Sequence, residues 1–226
     1  WKLYRLFCYE KPKIVHSITP KAGLLSMTAA YFASVPIRIH TFTGLIFPSK
    51  AGIFQSLLIL MDKFLCYFAT NIYPEGEGVK KDLISYRITN KTLNAIGNGN
   101  VNGVDINYFD PNLYSDEKNS ESRSNLGIKD DDFVFIFVGR LVKDKGVNEL
   151  VGAFKKLRDE SNSDFDIFLL LVGDQESILD PLKQKTLNEI TNNKNILSLG
   201  FKSDIRPYLS IANVLVLPSY REGFPN

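Results

Sequence analysis

Between residues 133 and 219 the chain repeats one pattern four times: a short apolar run, rich in β-branched and aromatic side chains, closed by Gly or by Pro-Ser. The runs are FVFIFVG (133–139), IFLLLVG (167–173), ILSLG (196–200) and NVLVLPS (213–219). Continuous rather than alternating hydrophobicity marks strands buried on both faces. Helical signals fill the gaps. Val147, Leu150, Val151, Phe154 and Leu157 fall at helical spacing in 147–160, a second helix is expected from about 176 to 191 with Pro181 near its first turn, and a short one spans 203–212 with Ser203 as N-cap. Strands alternating with helices at this spacing form βαβ units around a parallel sheet. In such sheets the carboxyl ends of the strands are where ligands bind.

The first half alternates less regularly. Strands are expected at 13–17, 37–42 (after Pro36), 71–75 and near 93–97, with helices at 21–34, 51–70 and 76–87. Residues 98–130 are turn-rich and polar, including SDEKNSESRSN at 115–125. The organisation expected is therefore α/β in two domains: 1–110, a polar linker 111–125, and 126–226.

Charge divides the same way. The chain has 27 Lys and Arg against 25 Asp and Glu, but residues 1–105 carry a net +6 and residues 106–226 a net −4. The basic residues are dispersed and do not interleave with aromatics, which argues against nucleic acid. An anionic membrane face or a phosphate-bearing substrate fits better, with a merely solvated basic face as the alternative. Cys8 and Cys66 have neither CxxC spacing nor a His cluster, so neither a disulfide framework nor a zinc site is expected. No apolar run reaches the roughly 18 residues of a membrane span, since Asp62-Lys63 interrupts the best candidate. The chain opens WKLYRLFCYEKPK without Met, which reads as a fragment.

Three strand ends carry candidate chemistry. GRLVKDKG (139–146) is a strand-to-helix turn in which backbone N–H groups and a helix N-terminus converge, which suits a phosphate. Arg140 and Lys145 add positive charge, one as a fork and one as a point. The turn is neither GxxxxGK[ST] nor GxGxxG, and an ordinary turn with solvated cations remains open on spacing alone. PSYREGFPN (218–226) presents Glu222, and LGFKSD (199–204) presents Phe201, which could lie beside a base or simply pack. Together they describe a pocket for a nucleoside diphosphate with a polar group attached. In the first half, HSITPKAG (16–23) and IHTFTG (39–44) also follow strands, which makes His16, Lys21, His40, Thr43 and Gly44 candidates on the acceptor side.

At these residues the sequence resembles glycosyltransferase family 4, retaining enzymes of the GT-B fold with two Rossmann-like domains. VGRLVKDKGV (138–147), LVGDQE (171–176), LGFKSDI (199–205) and LPSYREGFPN (217–226) resemble its donor-binding domain. HSITPKAGLL, RIHTFTGLIF and AIGNGNVNGVD (95–105) are similar to bacterial members that extend polyprenyl-diphosphate-linked sugars of capsule, O-antigen or N-glycan assembly. The resemblance implies that Arg140 and Lys145 hold the donor diphosphate and that Glu222 reaches the donor sugar beside Gly223 and Phe224. It places Gly139 in the donor turn and Phe201 next to the nucleobase. It also implies no metal and no cofactor, the cations and a helix N-terminus taking the leaving-group charge.

The expected activity is transfer, with retention, from a UDP-sugar to a lipid-linked acceptor by a cytoplasmic enzyme peripheral to the inner membrane face. A non-hydrolysing nucleotide-sugar epimerase of the same fold and an inactive fragment are the alternatives. The family's second Glu falls beyond Asn226, and Thr43 follows Thr41-Phe42 where the family usually has its catalytic His, so His40 receives no catalytic role.

Overall fold

The computed structural model describes residues 1–97, 99, 103–160, 165–220 and 222. The chain divides into two compact α/β units, one of residues 1–104 together with Glu222 and the other of residues 105–220, so Glu222 groups with the first unit and not with the expected 126–226 domain.

The first unit opens with α1 (Lys2–Glu10), which the sequence reading had not anticipated, then β1 (Ile14–Ser17), α2 (Pro20–Phe32), β2 (Ile37–Phe42), α3 (Gly52–Phe68), β3 (Asn71–Pro74) and α4 (Glu77–Ser85). The three strands form a parallel sheet in the order β1-β2-β3. Helix α2 begins where Pro20 supplies a helical φ at a position needing no N–H donor. It buries Gly23, Met27 and Ala30 in a core shared with Phe42, Phe47, Leu65, Ile72 and Leu83.

The strand expected near 93–97 does not form. Lys91, just before it, instead turns its ammonium onto the carbonyls of Cys66 and Ala69 at the end of α3. A cation among unpaired helix carbonyls satisfies them and complements the helix dipole. In AIGNGNVNGVD, residues 98 and 100–102 lie outside the described residues.

The second unit starts earlier than the expected linker boundary. The polar run 115–125 is not a linker but contains helix α5 (Asp116–Asn125). Ser115 caps it by accepting from the Lys118 amide, and Asp116 and Glu117 occupy the first turn, where negative charge is favoured. Its contribution to the interior is Arg123, a buried guanidinium donating to the carbonyls of Lys129, Asp132 and Ile211 and to Asn213 Oδ1. Further upstream, Tyr108 lies 3.7 Å beneath the Arg206 guanidinium, which Asp204 grips through two hydrogen bonds. These contacts bring residues 105–125 into this unit.

After α5 come β4 (Phe133–Val138), α6 (Val147–Glu160), β5 (Ile167–Val172), α7 (Gln184–Asn192), β6 (Ile196–Gly200), α8 (Arg206–Ser210) and β7 (Val214–Leu215). All pairings are parallel, in the order β6-β5-β4-β7. Every residue of β5 is buried. Its side chains alternate: Ile167, Leu169 and Leu171 enter the cluster under α6, while Phe168, Leu170 and Val172 enter the one holding Ile128 and Ile211. This is why IFLLLV reads as an unbroken apolar run.

Three expected boundaries move. Helix 176–191 begins only at Gln184, because Asp180 is engaged by the backbone of the 139–146 turn and Asn148 Oδ1 takes the Lys183 amide and the Thr186 hydroxyl. Ser203 caps nothing among the described contacts: α8 starts at Arg206, whose amide is taken by Asp204. The run NVLVLPS yields a strand of only two residues, at the sheet edge.

Candidate active site

The strand order places the site. The chain runs from β4 to β5 to β6 in one direction, then returns to lay β7 on the other side of β4. The carboxyl ends of β4 and β7 therefore flank the point where the order reverses, the position at which open parallel sheets bind ligands. Residues 139–146 leave β4 there, and residues 216–220 leave β7.

Backbone contacts hold the turn in place. The Gly139 amide donates to the Val172 carbonyl, and the Gly173 amide to Gly200, so three strand ends are tied in series. At Gly173 (φ +142°) an added Cβ would stand 2.0 Å from the Gly139 carbonyl oxygen, a separation only glycine permits. The Leu141 amide donates to Asp174, and the amides of Lys143 and Asp144 converge on Asp180. A 3-10 turn at Lys143–Lys145 follows. Gly146 (φ +70°) then turns the chain into α6, a helix of 14 residues.

The β7 end closes on the same turn. An added Cβ on Gly146 would lie 2.1 Å from the Pro218 carbonyl oxygen, and the Tyr220 amide donates to Asp144. The Tyr220 hydroxyl bonds to the Glu149 carboxylate in the first turn of α6, which holds the phenol above its ordinary pKa.

Arg140 sits on this frame with its side chain two-thirds exposed, 3.3 Å from Glu176. Glu176 in turn accepts from the Leu179 amide through its other oxygen. Lys145 is half-buried in the 3-10 turn at the foot of α6. The structure thus brings Gly139, Arg140 and Lys145 into one strand-to-helix turn at a helix N-terminus. Such a turn favours an anion through backbone dipoles and adds two cations to it.

Phe201 follows β6, two strands from β4, and is 70% exposed. That leaves its face available and rules out core packing for it in this unit. Glu222 is exposed, and Gly223 and Phe224 lie outside the described residues.

In the first unit the two histidines part company. His16 is exposed, with Nε2 2.9 Å from Thr41 Oγ1. His40 is fully buried: its Nδ1 lies 2.8 Å from Ser17 Oγ and its ring meets Phe42 edge-on. Gly23 leaves it room, since an added Cβ there would come within 2.6 Å of the ring. Burial pushes the imidazole down to about 4, His16 adds to the shift and Ser17 opposes it, so His40 is neutral at pH 7. Lys21 is exposed in the first turn of α2, and Thr43 and Gly44 are half-buried after β2.

Glu176, Asp180 and Tyr220 were not singled out from sequence. For Glu176 a signal existed: it lies three residues after Gly173 at the end of β5, as Arg140 lies one residue after Gly139 at the end of the adjacent β4. Asp180 and Tyr220 had none, because each acts on backbone far away in the chain.

The chain is similar to known proteins in sequence and in fold. Residues 118–226 match the family described as Glycosyl transferases group 1. Over the whole chain the sequence is 34% identical to the capsular polysaccharide biosynthesis glycosyltransferase CapM of Staphylococcus aureus, spanning 57% of that protein. It is 32% identical, over 99% of the chain and 56% of the relative, to an Escherichia coli UDP-Gal:alpha-D-GlcNAc-diphosphoundecaprenol alpha-1,3-galactosyltransferase. The chain thus spans a little over half the length of these relatives. In fold it is similar to Anabaena HepE solved with UDP, with a TM-score of 0.72 and 19% identity over 96% of this chain and 56% of that one. The chain is thus similar to the group 1 glycosyl transferases over residues 118–226 and has the α/β fold of the GT-B glycosyltransferases.

Proposed function

We propose that this chain is part of a retaining, metal-independent glycosyltransferase that moves a sugar from a UDP-sugar to a polyprenyl-diphosphate-linked glycan. The observation that carries the reading is the 139–146 turn: two cations and a helix N-terminus gathered at the reversal point of a parallel sheet.

Breaking the bond between anomeric carbon and diphosphate builds negative charge on the departing phosphate oxygens, while the sugar becomes oxocarbenium-like. Arg140 offers paired donors to two oxygens and Lys145 a mobile point charge. The α6 N-terminus adds fixed dipoles that need no reorganisation during the reaction. Glu176 holds Arg140 at the mouth of the turn when no diphosphate is bound. Phe201 serves as a platform for the base, and Glu222 with Gly223 and Phe224 holds the donor sugar. His16, Lys21, Thr43 and Gly44, all in the first unit, are the candidates for binding the acceptor. His40, buried and neutral, orients Ser17 at the end of β1 and takes no proton from substrate.

The E. coli relative, named for a UDP-Gal donor and a diphosphoundecaprenol-linked acceptor, supports this choice of substrates. An acceptor of that kind would be met at the inner face of the cytoplasmic membrane, which supports a peripheral enzyme there. The test is calorimetric titration of UDP, then GDP, into the full-length protein without divalent metal. UDP binding that is lost in Arg140→Ala, with kcat/KM lowered by about 10²–10³, is the expected result. A folded protein that binds neither nucleotide would overturn the proposal.

A further inference from the structure

Helix α3 is apolar on both faces, with Leu65 and Cys66 buried in the core on its inward side. Its outward face is a stripe of large apolar side chains (Ile53, Phe54, Leu57, Leu60, Phe64 and Tyr67), each about half exposed or more, with Ile53 90% exposed. At 3.6 residues per turn these fall on one side of the helix, over about 21 Å of its length. Asp62 lies two residues from both Leu60 and Phe64, hence on the opposite side, where burial pushes its carboxyl up to about 6. A water-facing helix instead carries charged and polar side chains on its outward face.

The apolar surface does not stop with α3. Tyr31 and Phe32, at the end of α2, pack on Phe68, and Tyr31 also meets Tyr67, so aromatic rings cluster at the C-terminal end of both helices. Phe32 and Tyr67 are more than 60% exposed. Cations border this surface. Lys50 and Lys63 are exposed beside the stripe, and Arg38 sits over the Tyr31 ring. Residues 1–104 as a whole carry twelve Lys and Arg against five Asp and Glu. Among the described residues no helix is long and apolar enough to cross a membrane. An apolar stripe with an aromatic end and a basic border instead matches a helix lying in a bilayer interface, its cations toward anionic headgroups.

We propose that the outward face of α3, continued by Tyr31 and Phe32 of α2, docks on an anionic lipid bilayer by apolar insertion. The choice of a bilayer as occupant rests on the lipid-linked acceptor proposed above and on the basic charge of this unit. The stripe itself stands independently of that reading. Inserted this way, the unit would meet a membrane-borne acceptor at the surface where its diphosphate lies, and Lys50 and Lys63 would face the headgroups.

The test is flotation of the full-length protein with vesicles of phosphatidylethanolamine and phosphatidylglycerol, at about 0.1 and 1 M NaCl. The wild type is expected to float at both salt concentrations, more weakly at the higher. The triple variant Leu57→Ser, Leu60→Ser, Phe64→Ser should partition about a hundredfold less, each half-exposed side chain contributing about a three- to tenfold share. Its melting temperature, its UDP affinity and its transfer to a water-soluble acceptor should be unchanged. Loss of UDP binding by wild type would count against the transferase proposal and leave the helix untouched. Three results would overturn the inference: wild type that does not float, binding abolished by high salt, or a triple variant that floats as well as wild type. Light scattering that shows a wild-type dimer and a monomeric variant, with flotation equal in both, would assign the face to a second copy instead.

Discussion

Gly146 is the residue through which the proposed phosphate turn and the β7 end are fitted together, and Gly146→Ala tests that fit. Two costs add. At φ +70° an L side chain pays about 1–2 kcal/mol for the left-handed backbone. The new Cβ would also stand 2.1 Å from the Pro218 carbonyl oxygen, so backbone must move by about 1 Å to restore van der Waals distance. No side-chain rotation relieves a clash with a carbonyl, and overpacking of this kind costs about 1–3 kcal/mol. The sum is about 3 kcal/mol, a fall in melting temperature of roughly 10 °C for a unit of this size. Because the movement separates Pro218 and Tyr220 from the turn holding Lys145, kcat/KM should also fall, by about 10²-fold for a displacement near 1 Å.

The matched control is Gly152→Ala on the same helix. Nothing lies within 4 Å of its added Cβ and its backbone is not left-handed, so helix propensity alone should raise stability by about 0.5–1 kcal/mol. Thermal melts and nucleotide titration of both variants decide the matter. A Gly146→Ala protein with wild-type melting and UDP affinity would refute the claim that this close approach shapes the site.

Arg123→Ala should destabilise the second unit by about 3–5 kcal/mol in denaturant melts, because the buried carbonyls of Asp132 and Ile211 and the partly buried acceptors on Lys129 and Asn213 lose their shared donor; Arg123→Lys should rescue little, since one ammonium cannot span them. His40, neutral and buried with its pKa near 4, should make stability depend on pH in one direction. The unfolded chain takes up a proton below about 6.5 that the folded chain refuses, so stability is full above that pH and declines by about 3 kcal/mol towards pH 4. Subtracting the profile of His40→Gln isolates the effect, and identical profiles would exclude it. EDTA should leave transferase activity intact in a radioactive transfer assay, whereas a strict Mg²⁺ requirement would contradict a turn in which Arg140, Lys145 and a helix terminus supply the positive charge.

What was legible in the sequence follows from range. The β4 and β5 strands could be read because burial on both faces writes itself into consecutive residues. Helix α5 could not, because it contributes one buried guanidinium instead of an apolar stripe, and DEKNSESRSN has no periodicity to detect. The end of β6 misled for a similar reason: Ser203 has the chemistry of a cap, but Asp204 wins because its carboxylate holds both the Arg206 amide and its guanidinium. From sequence, His40 is a strand-end residue whose role stays open. Its burial depends on Gly23 and Ser17, on other elements, and no local pattern encodes that meeting.

The same contrast governs the candidate site. GRLVKDKG contains the cations that would meet a diphosphate, yet little of what fixes their positions lies within it. Gly173 admits the Gly139 carbonyl, Asp180 gathers two amides of the turn, Glu176 holds the Arg140 side chain, and Pro218 and Tyr220 close on Gly146 and Asp144. Each of these partners comes from the end of β5 or β7, the two strands that flank β4. A string of residues can name the groups that carry charge, but their aim is set by neighbouring strand ends. Substitutions at Gly173, Asp180 or Pro218 should therefore impair nucleotide binding although none of them offers a side chain to phosphate. Changes of equal size at Gly152, on the far side of α6's first turns, should not.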